Sequence, residues 1–377
     1  MTATAIKSAA TIDWTAEATR IAAEIADFAA RHDREDTFVE EGYASLKRAG
    51  FFSALVPADL GGGGASVAEI ARCITILASG CSATALAFAM HSHIVAVAAW
   101  RRAHQGAPTE GLLRRVASEG LVLVSSGGSD WLESGGAAER VDGGYLITAR
   151  KGFSSGSPMG DLLVTSAVTQ DPESGPTVLH FALPLRGEGI THQPTWQVMG
   201  MRGTGSNDIQ FERVFVADAA ISGRRPAGEW HMLFHIISKI AFALIYAAYA
   251  GVAETARSKA LALAAKRTPD PLLAQLAGEL ENEIAAMRLS QAEAVRIAEH
   301  DDPGEATTSA AMICRTLTGR HAIAATTLAM ELAGGQAFYR KAGIEQLFRD
   351  VQAARFHPLQ GRQQLDLTGR VALGWPI

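Results

Sequence analysis

The sequence predicts an α+β protein that is mostly α. An N-terminal helical domain is expected over residues 1–120, a central antiparallel β-barrel or sandwich over 121–228, and a C-terminal four-helix bundle over 229–377. Three observations carry this expectation. Up to about Gly120, apolar residues recur at helical spacing. Between Leu121 and Gly228 the pattern shortens to β-rich runs separated by Gly, Pro, Asp and Ser clusters. Beyond Gly228 four segments of bundle length follow, divided by "RTPDP", "HDDPGE" and "GGQAFYRKAG".

Taken in order, the first helix is marked by Ile21, Ile25 and Phe28 at i, i+4 and i+7, with charges between them. "LVPADLGGGGAS" then breaks the helical pattern with Pro57 and four consecutive glycines. "SVAEIARCITILASGCSATALAFAMHSHIVAVAAW" is apolar nearly all round, which predicts a helix buried between others. Strands are expected in "LVLVSS", "GGYLITARKGF", "DLLVTSAV", "TVLHFALPL" and "NDIQFERVFV", and "ERVDGGYLIT" carries an Asp-Gly hairpin signal. The bundle segments begin at "MLFHIISKIAF", "DPLLAQLAGEL", "ATTSAAMICRT" and "GIEQLFRDVQAARF". No repeat of roughly 20–50 residues is visible.

A chain of 377 residues is long enough for two or three domains around a large core. Its 48% hydrophobic and 19% charged residues are those of a globular protein. The net charge of −5, without a basic run, argues against nucleic acid and an anionic membrane surface as partners. Three cysteines and no CxxC pair point to neither a disulfide framework nor a zinc site, and fit small buried residues in a reducing compartment. The N-terminal stretch lacks a basic segment followed by an apolar one, so a cytoplasmic location is expected. The most apolar run, "IISKIAFALIYAAYAGVAETA", has Lys239 inside it and reads as a buried core helix.

Five strings, in order along this layout, carry a resemblance. They are "LVPADLGGGGAS", "SSGGSD", "KGFSSGSPMGDLLVTSA", "MGMRGTGSNDIQFERVFV" and "ELAGGQAFYRKAGIEQLFRD". Together they resemble the acyl-CoA dehydrogenase superfamily of flavoproteins over nearly the whole chain. The resemblance implies a flavin, FAD or FMN, whose planar apolar ring needs an apolar face and small hydrogen-bonding groups at its edge. Phe153 is the expected face, with Ser154 and Ser155 as donors. Ser125, Ser126 and Ser129 are expected at the flavin too, where Gly127 and Gly128 permit close backbone approach. Gly334 and Gly335 match a turn that in relatives approaches the dinucleotide end of FAD from a neighbouring subunit, which implies an oligomer, expected to be a homotetramer. The same glycines also serve as a plain helix cap, and the serines as an ordinary turn. "GGGGAS" does not follow a strand and is not a dinucleotide fingerprint.

A dehydrogenase of this superfamily needs a carboxylate to take the proton next to a thioester carbonyl. The position most relatives use falls on Pro358, or on Gln360 if the following Gly is matched instead. A minority use the first bundle helix, where the position is near Ala241. None is a carboxylate, and Glu254 lies three to four turns further along. The offset instead holds His357, as in monooxygenases of the superfamily, which take up reduced flavin and activate oxygen with it. Those relatives also carry a histidine on the long helix of the first domain, here His91 or His93. The expectation is a flavin-dependent oxidoreductase, favoured as a reduced-flavin monooxygenase with His357, His91 and His93 as catalytic candidates and a flavin reductase as partner. A dehydrogenase acting on a CoA or carrier-protein thioester, or a non-catalytic flavin-binding subunit, is the alternative. If His357 is the base, activity should rise through a pKa near roughly 6–7. A lone histidine on an apolar helix is also commonly a packed core residue.

Overall fold

A computed structural model describes residues 12–126 and 130–377. Five helices come first: α1 (Trp14–Glu35), α2 (Glu40–Arg48), α3 (Val67–Gly80), α4 (Ser82–Gln105) and α5 (Glu110–Glu119). Asp13 caps α1 by accepting from the Ala16 amide at 2.9 Å, and Ser66 and Glu69 form a reciprocal capping box on α3. Ile21 and Ile25 are buried, and half-buried Phe28 lies under the Arg31 guanidinium.

The long apolar segment after the glycine loop is two helices, not one. A Cβ on Gly80 would come within 2.1 Å of the Ala22 carbonyl oxygen, so the chain crosses α1 there at backbone contact. Cys81 is then extended (φ −153°), and its sulfur caps α4 by accepting from the Thr84 amide. A tertiary contact, not a propensity change, makes this break.

The middle of the chain forms β1 (Leu123–Ser125), β2 (Ala137–Val141), β3 (Gly144–Lys151), β4 (Leu162–Asp171), β5 (Gly175–Pro184), β6 (Ile190–Gln193), β7 (Asp208–Ala217) and β8 (Ile221–Pro226). They make one sheet in the order β6-β7-β3-β2-β4-β5-β8. The expected hairpin is present, with Val141 opposite Gly144 across Asp142-Gly143. The sheet is antiparallel except where β1 and β2 both run parallel to β4, at Leu123↔Leu162 and Ala137↔Val168. Because β5 occupies the other edge of β4, β1 and β2 lie in line along one edge. Residues 130–136, just ahead of β2, are an excursion from that edge. Asp130 closes it, accepting from Ser126 Oγ (2.9 Å), the Gly135 amide (3.0 Å) and the buried Lys151 ammonium (2.6 Å).

The C-terminal region has three long helices, α6 (Met232–Ala264), α7 (Pro271–His300) and α8 (Glu305–Ala333), then two short ones, α9 (Ile344–Val351) and α10 (Gly361–Leu373). The fourth bundle segment is therefore only a short helix, followed by a 3-10 turn at Gln352–Arg355. The long α6 packs against α3, α4, α7, α8 and α9, which explains its apolar composition on every face. Lys239 is accommodated by donating to the Asp301 carbonyl with its ammonium over the Trp100 ring. Helices α4 and α6 are both long and apolar enough to cross a membrane, but 83% and 94% of their apolar windows are buried inside the protein.

Arg349 and Asp350, at the end of α9, join the three regions. Arg349 pairs bidentately with Asp33 of α1 (2.9 and 2.6 Å) and with Glu345 (2.7 Å), and donates to the Met199 carbonyl. Buried Asp350 accepts from Ser82 Oγ on α4 and from the Met201 amide of the β6–β7 connection. Burial raises its pKa to about 6.

Candidate functional site

These joins leave a cavity of about 360 Å³ where the sheet meets α4, α6 and the turn after α9. One wall comes from the sheet: Ser125 at the end of β1, Trp131 of the excursion, Phe153 and Ser155 after β3, and Trp196 and Ser206 of the β6–β7 connection. Phe153 is held at φ +55°, a conformation bulky residues seldom adopt, with its ring edge-on to Trp196 at 5.9 Å. Ser155 Oγ and Ser206 Oγ are 2.7 Å apart, and Ser206 is 2.7 Å from Thr204 Oγ1, which donates to the Met201 carbonyl.

The facing wall holds His93 of α4, Ala241, Phe242, Ile245 and Tyr249 of α6, and Ala353, Phe356, His357 and Pro358. Tyr249 Oη is 2.6 Å from His357 Nε2. Burial, then the Arg315 and His93 charges, push the His357 imidazole down to about 3. Burial likewise lowers His93 to about 4. His93 Nδ1 sits 3.3 Å from the Ala89 carbonyl. Both rings are therefore neutral near pH 7.

Among the described residues, no Asp or Glu lines the cavity. Ala241 and Pro358 are in its wall, while exposed Gln360 turns back to the Phe356 carbonyl. Glu254 is engaged with Arg288 at 2.5 and 2.8 Å, away from the cavity. Among the described residues, Arg349 is the one in the wall that carries a full charge, and Asp33 and Glu345 already pair with it.

The sequence candidates divide accordingly. His93, His357, Ser125, Phe153 and Ser155 meet in the cavity. His91 does not: its Nε2 faces the Phe52 carbonyl at 2.7 Å and its Nδ1 accepts from the Leu123 amide at 2.9 Å, so the ring ties α4 to the 3-10 turn at Phe51–Ser53 and to β1. Buried Ser154 lies outside the lining and donates to the Lys151 carbonyl, and Ser126 is engaged by Asp130 and Thr165. Gly334 (φ +65°) and Gly335 follow the end of α8, outside the cavity lining, beside exposed Phe338 and Tyr339. Ser129, with Gly127 and Gly128, lies outside the described residues.

Sequence reasoning missed Tyr249, Trp131, Trp196 and Ser206. Tyr249 did leave a signal: a phenol inside a helix that is apolar on all sides must find a polar partner.

A flavin ring suits the sheet-side wall. The buried Ser125 Oγ and Trp131 Nε1 have no hydrogen-bond partner among the described residues. Such buried polar groups call for a ligand or water. Phe153, Met199 and Phe356 of the lining are 50%, 53% and 59% exposed, leaving an apolar mouth that a planar ring would cover.

Three sequence-family profiles match the chain: the acyl-CoA dehydrogenase N-terminal domain over residues 15–105, its middle domain over 125–214 and its C-terminal domain over 242–362. Among curated relatives, the putative acyl-CoA dehydrogenase YdbM of Bacillus subtilis is 26% identical, covering 92% of each chain. L-evernosamine nitrososynthase of a Micromonospora species is 26% identical over 94% of this chain and 87% of its own. Dibenzothiophene monooxygenase of Mycolicibacterium goodii is 26% identical over 86% and 85%. The solved structure of KijD3 with FMN and a dTDP-linked amino keto sugar superposes with a TM-score of 0.86 at 24% identity, covering 99% of this chain and 97% of that one. The three profiles follow one another in order across the three regions of the fold, and the chain belongs to the acyl-CoA dehydrogenase family.

Proposed function

We propose that this protein is a reduced-flavin monooxygenase that oxygenates a small, neutral, ring-bearing apolar molecule. The observation that carries the reading is the composition of the cavity: two neutral imidazoles and, among the described residues, no carboxylate where a dehydrogenase would place its base. Removing a proton next to a thioester carbonyl needs a base that stays effective near neutral pH, and an imidazole held at about 3 is a poor one. Phe153 would face the flavin ring, with Ser125, Ser155 and Ser206 at its hydrogen-bonding edge. Gly334 and Gly335 would meet the outer end of the cofactor across a homotetramer interface. A bound reduced flavin supplies the two electrons that, with dioxygen, place one oxygen atom on the substrate and reduce the other to water. This chain's residues keep the pocket dry and orient the substrate between His93 and His357.

Substrate class follows from the same wall. Met90, Trp131, Trp196, Phe242, Ile245 and Phe356 offer apolar and aromatic surface, and among the described residues no unpaired charge lines the cavity to hold a phosphate or carboxylate. That chemistry sits nearer to the relative named for dibenzothiophene than to those named for sugars. A cytoplasmic flavin reductase would supply the reduced cofactor.

The test is oxygenation by the purified protein with FMN or FAD, NAD(P)H and a separate flavin reductase, offered neutral bicyclic arenes such as indole. Product carrying one ¹⁸O atom from ¹⁸O₂ is expected. Anaerobic bleaching of the bound flavin by an acyl-CoA, with no ¹⁸O product, would overturn the reading in favour of a dehydrogenase. Flavin binding without either reaction would leave the non-catalytic reading. For the cofactor wall, Ser155→Leu is expected to weaken flavin binding at least tenfold, about 1.4 kcal/mol. Unchanged affinity by fluorescence quenching removes Ser155 from the flavin site.

A further inference from the structure

Helix α6 grips the turn after α9 twice. Tyr246 donates its phenol proton to the Ala354 carbonyl at 2.6 Å, and three residues on, the Tyr249 hydroxyl meets His357 Nε2 at 2.6 Å. Arg315 of α8 holds the same turn from the other side through the His357 and Leu359 carbonyls. Backbone and ring of His357 are thus fixed independently.

Proton accounting decides what the ring presents. The phenol of Tyr249 has one proton, and burial keeps it there by raising its pKa well above 10. Among the described residues its only hydrogen-bond contact is His357 Nε2. A buried hydroxyl without an acceptor is costly, so the phenol donates and Nε2 is the bare nitrogen. A neutral imidazole carries one N–H, which then stands on Nδ1, where no protein group among the described residues receives it. His93 is the same tautomer but, among the described residues, leaves its other nitrogen unengaged. A carbonyl can only accept, so Nδ1 of His93 is protonated toward Ala89 and its Nε2 is bare.

We propose that Tyr249 is a positioning residue: its phenol fixes His357 as the Nδ1–H tautomer, making His357 the hydrogen-bond donor of the cavity while His93 is the acceptor. The two rings therefore offer unlike groups to whatever lies between them. What the donor acts on rests on the oxygenase reading; the tautomer itself does not.

The test separates these two. Two-dimensional ¹⁵N–¹H spectra of full-length, ¹⁵N-histidine-labelled protein without flavin distinguish the two neutral tautomers, with His357 assigned by the signals lost in His357→Asn. A protonated Nδ1 and bare Nε2 are expected at pH 7, and Tyr249→Phe should shift His357 toward the Nε2–H form. In turnover, Tyr249→Phe should lower kcat about tenfold with KM and flavin affinity unchanged, the scale of one hydrogen bond. His357→Asn, whose amide nitrogen lies near the position of Nδ1, should keep activity within about tenfold of the parent. His357→Gln, with its amide near Nε2, should behave like the alanine variant. An Nε2–H signature in the parent protein overturns the proposal, even if Tyr249→Phe does not fold. So does a Tyr249→Phe protein whose His357 signals are unmoved. Failure of the parent to oxygenate any substrate, with the tautomer as expected, rejects the oxygenase reading and leaves the Tyr249–His357 assignment standing.

Discussion

His357→Ala is expected to lower turnover of the reduced-flavin reaction by about 10²–10³ while leaving flavin affinity nearly intact, the size of effect seen when one preorganised donor is removed from a dry site. The imidazole lies in the cavity wall opposite Phe153 and Ser155, and its surroundings forbid it from acting as a charged group. The sequence expectation of a rate limb near pH 6–7 is corrected here. That limb assumed an ordinary imidazole, whereas burial with Arg315 and His93 nearby holds His357 at about 3. A histidine with a lowered pKa stays neutral at every pH above that value. Turnover is therefore expected to be level from about pH 5.5 to 8 as far as His357 and His93 are concerned, each being already deprotonated. Full turnover in His357→Ala removes the residue from the reaction. A limb near pH 6–7 that disappears in His357 variants but not in controls shows that the ring is an ordinary titrating base.

The fold class was legible because its signals are local. Apolar spacing in Ile21–Phe28, the β-rich runs beyond Leu121 and the Asp142-Gly143 hairpin each report on a few consecutive residues. What escaped is set by contacts distant in sequence. The break at Gly80–Cys81 arises because α1 passes within backbone contact. The in-line placement of β1 and β2 is decided by β4, and no period in either strand announces it.

The site shows the same division. Offset and composition pointed to His357, Phe153 and Ser155. They could not separate His93 from His91, two positions apart and so about 200° apart around a helix. Which of the two faces the cavity depends on how the whole helix is rotated, and that is fixed by its packing. His91 instead meets Phe52 and Leu123, partners on other elements. Nor could Tyr249 be chosen from "YAAYAG", since Tyr246 is equally buried and only the fold shows that it reaches a carbonyl while Tyr249 reaches an imidazole at the cavity wall. Loss of a carboxylate at Ala241 and Pro358 was readable at once. That both positions border one cavity required the fold.

Mild acid is expected to destabilise the protein well before its carboxylates titrate. His91, His93 and His357 are held neutral with pKa values of about 4, 4 and 3, against an ordinary value near 6.5. For a histidine lowered by folding, the unfolded chain binds protons first as pH falls. Its contribution to stability is complete above about pH 6.5 and declines as pH drops toward the folded value. At pH 5 each of the three has lost about 1.5 pH units of that contribution, about 2 kcal/mol. Asp350 has the opposite sign, since folding raises it to about 6 and the folded state takes up its proton first; by pH 5 it returns about 1 kcal/mol. His180, lowered to about 3 chiefly by burial, adds to the loss; the other four groups alone give a net loss of roughly 5 kcal/mol, a large part of the 5–15 kcal/mol typical of a folded domain. It corresponds to a fall in Tm of roughly 5 °C between pH 7.5 and 5 for a chain of this length. The pH window identifies the cause. Exposed carboxylates paired with arginine, such as Glu110 and Glu293, lie below their ordinary value near 4.5 and lose their contribution only in stronger acid. Scanning calorimetry at half-unit steps from pH 8 to 4.5 checks this: a Tm that holds level down to pH 5 would mean that the three imidazoles are not kept neutral by burial.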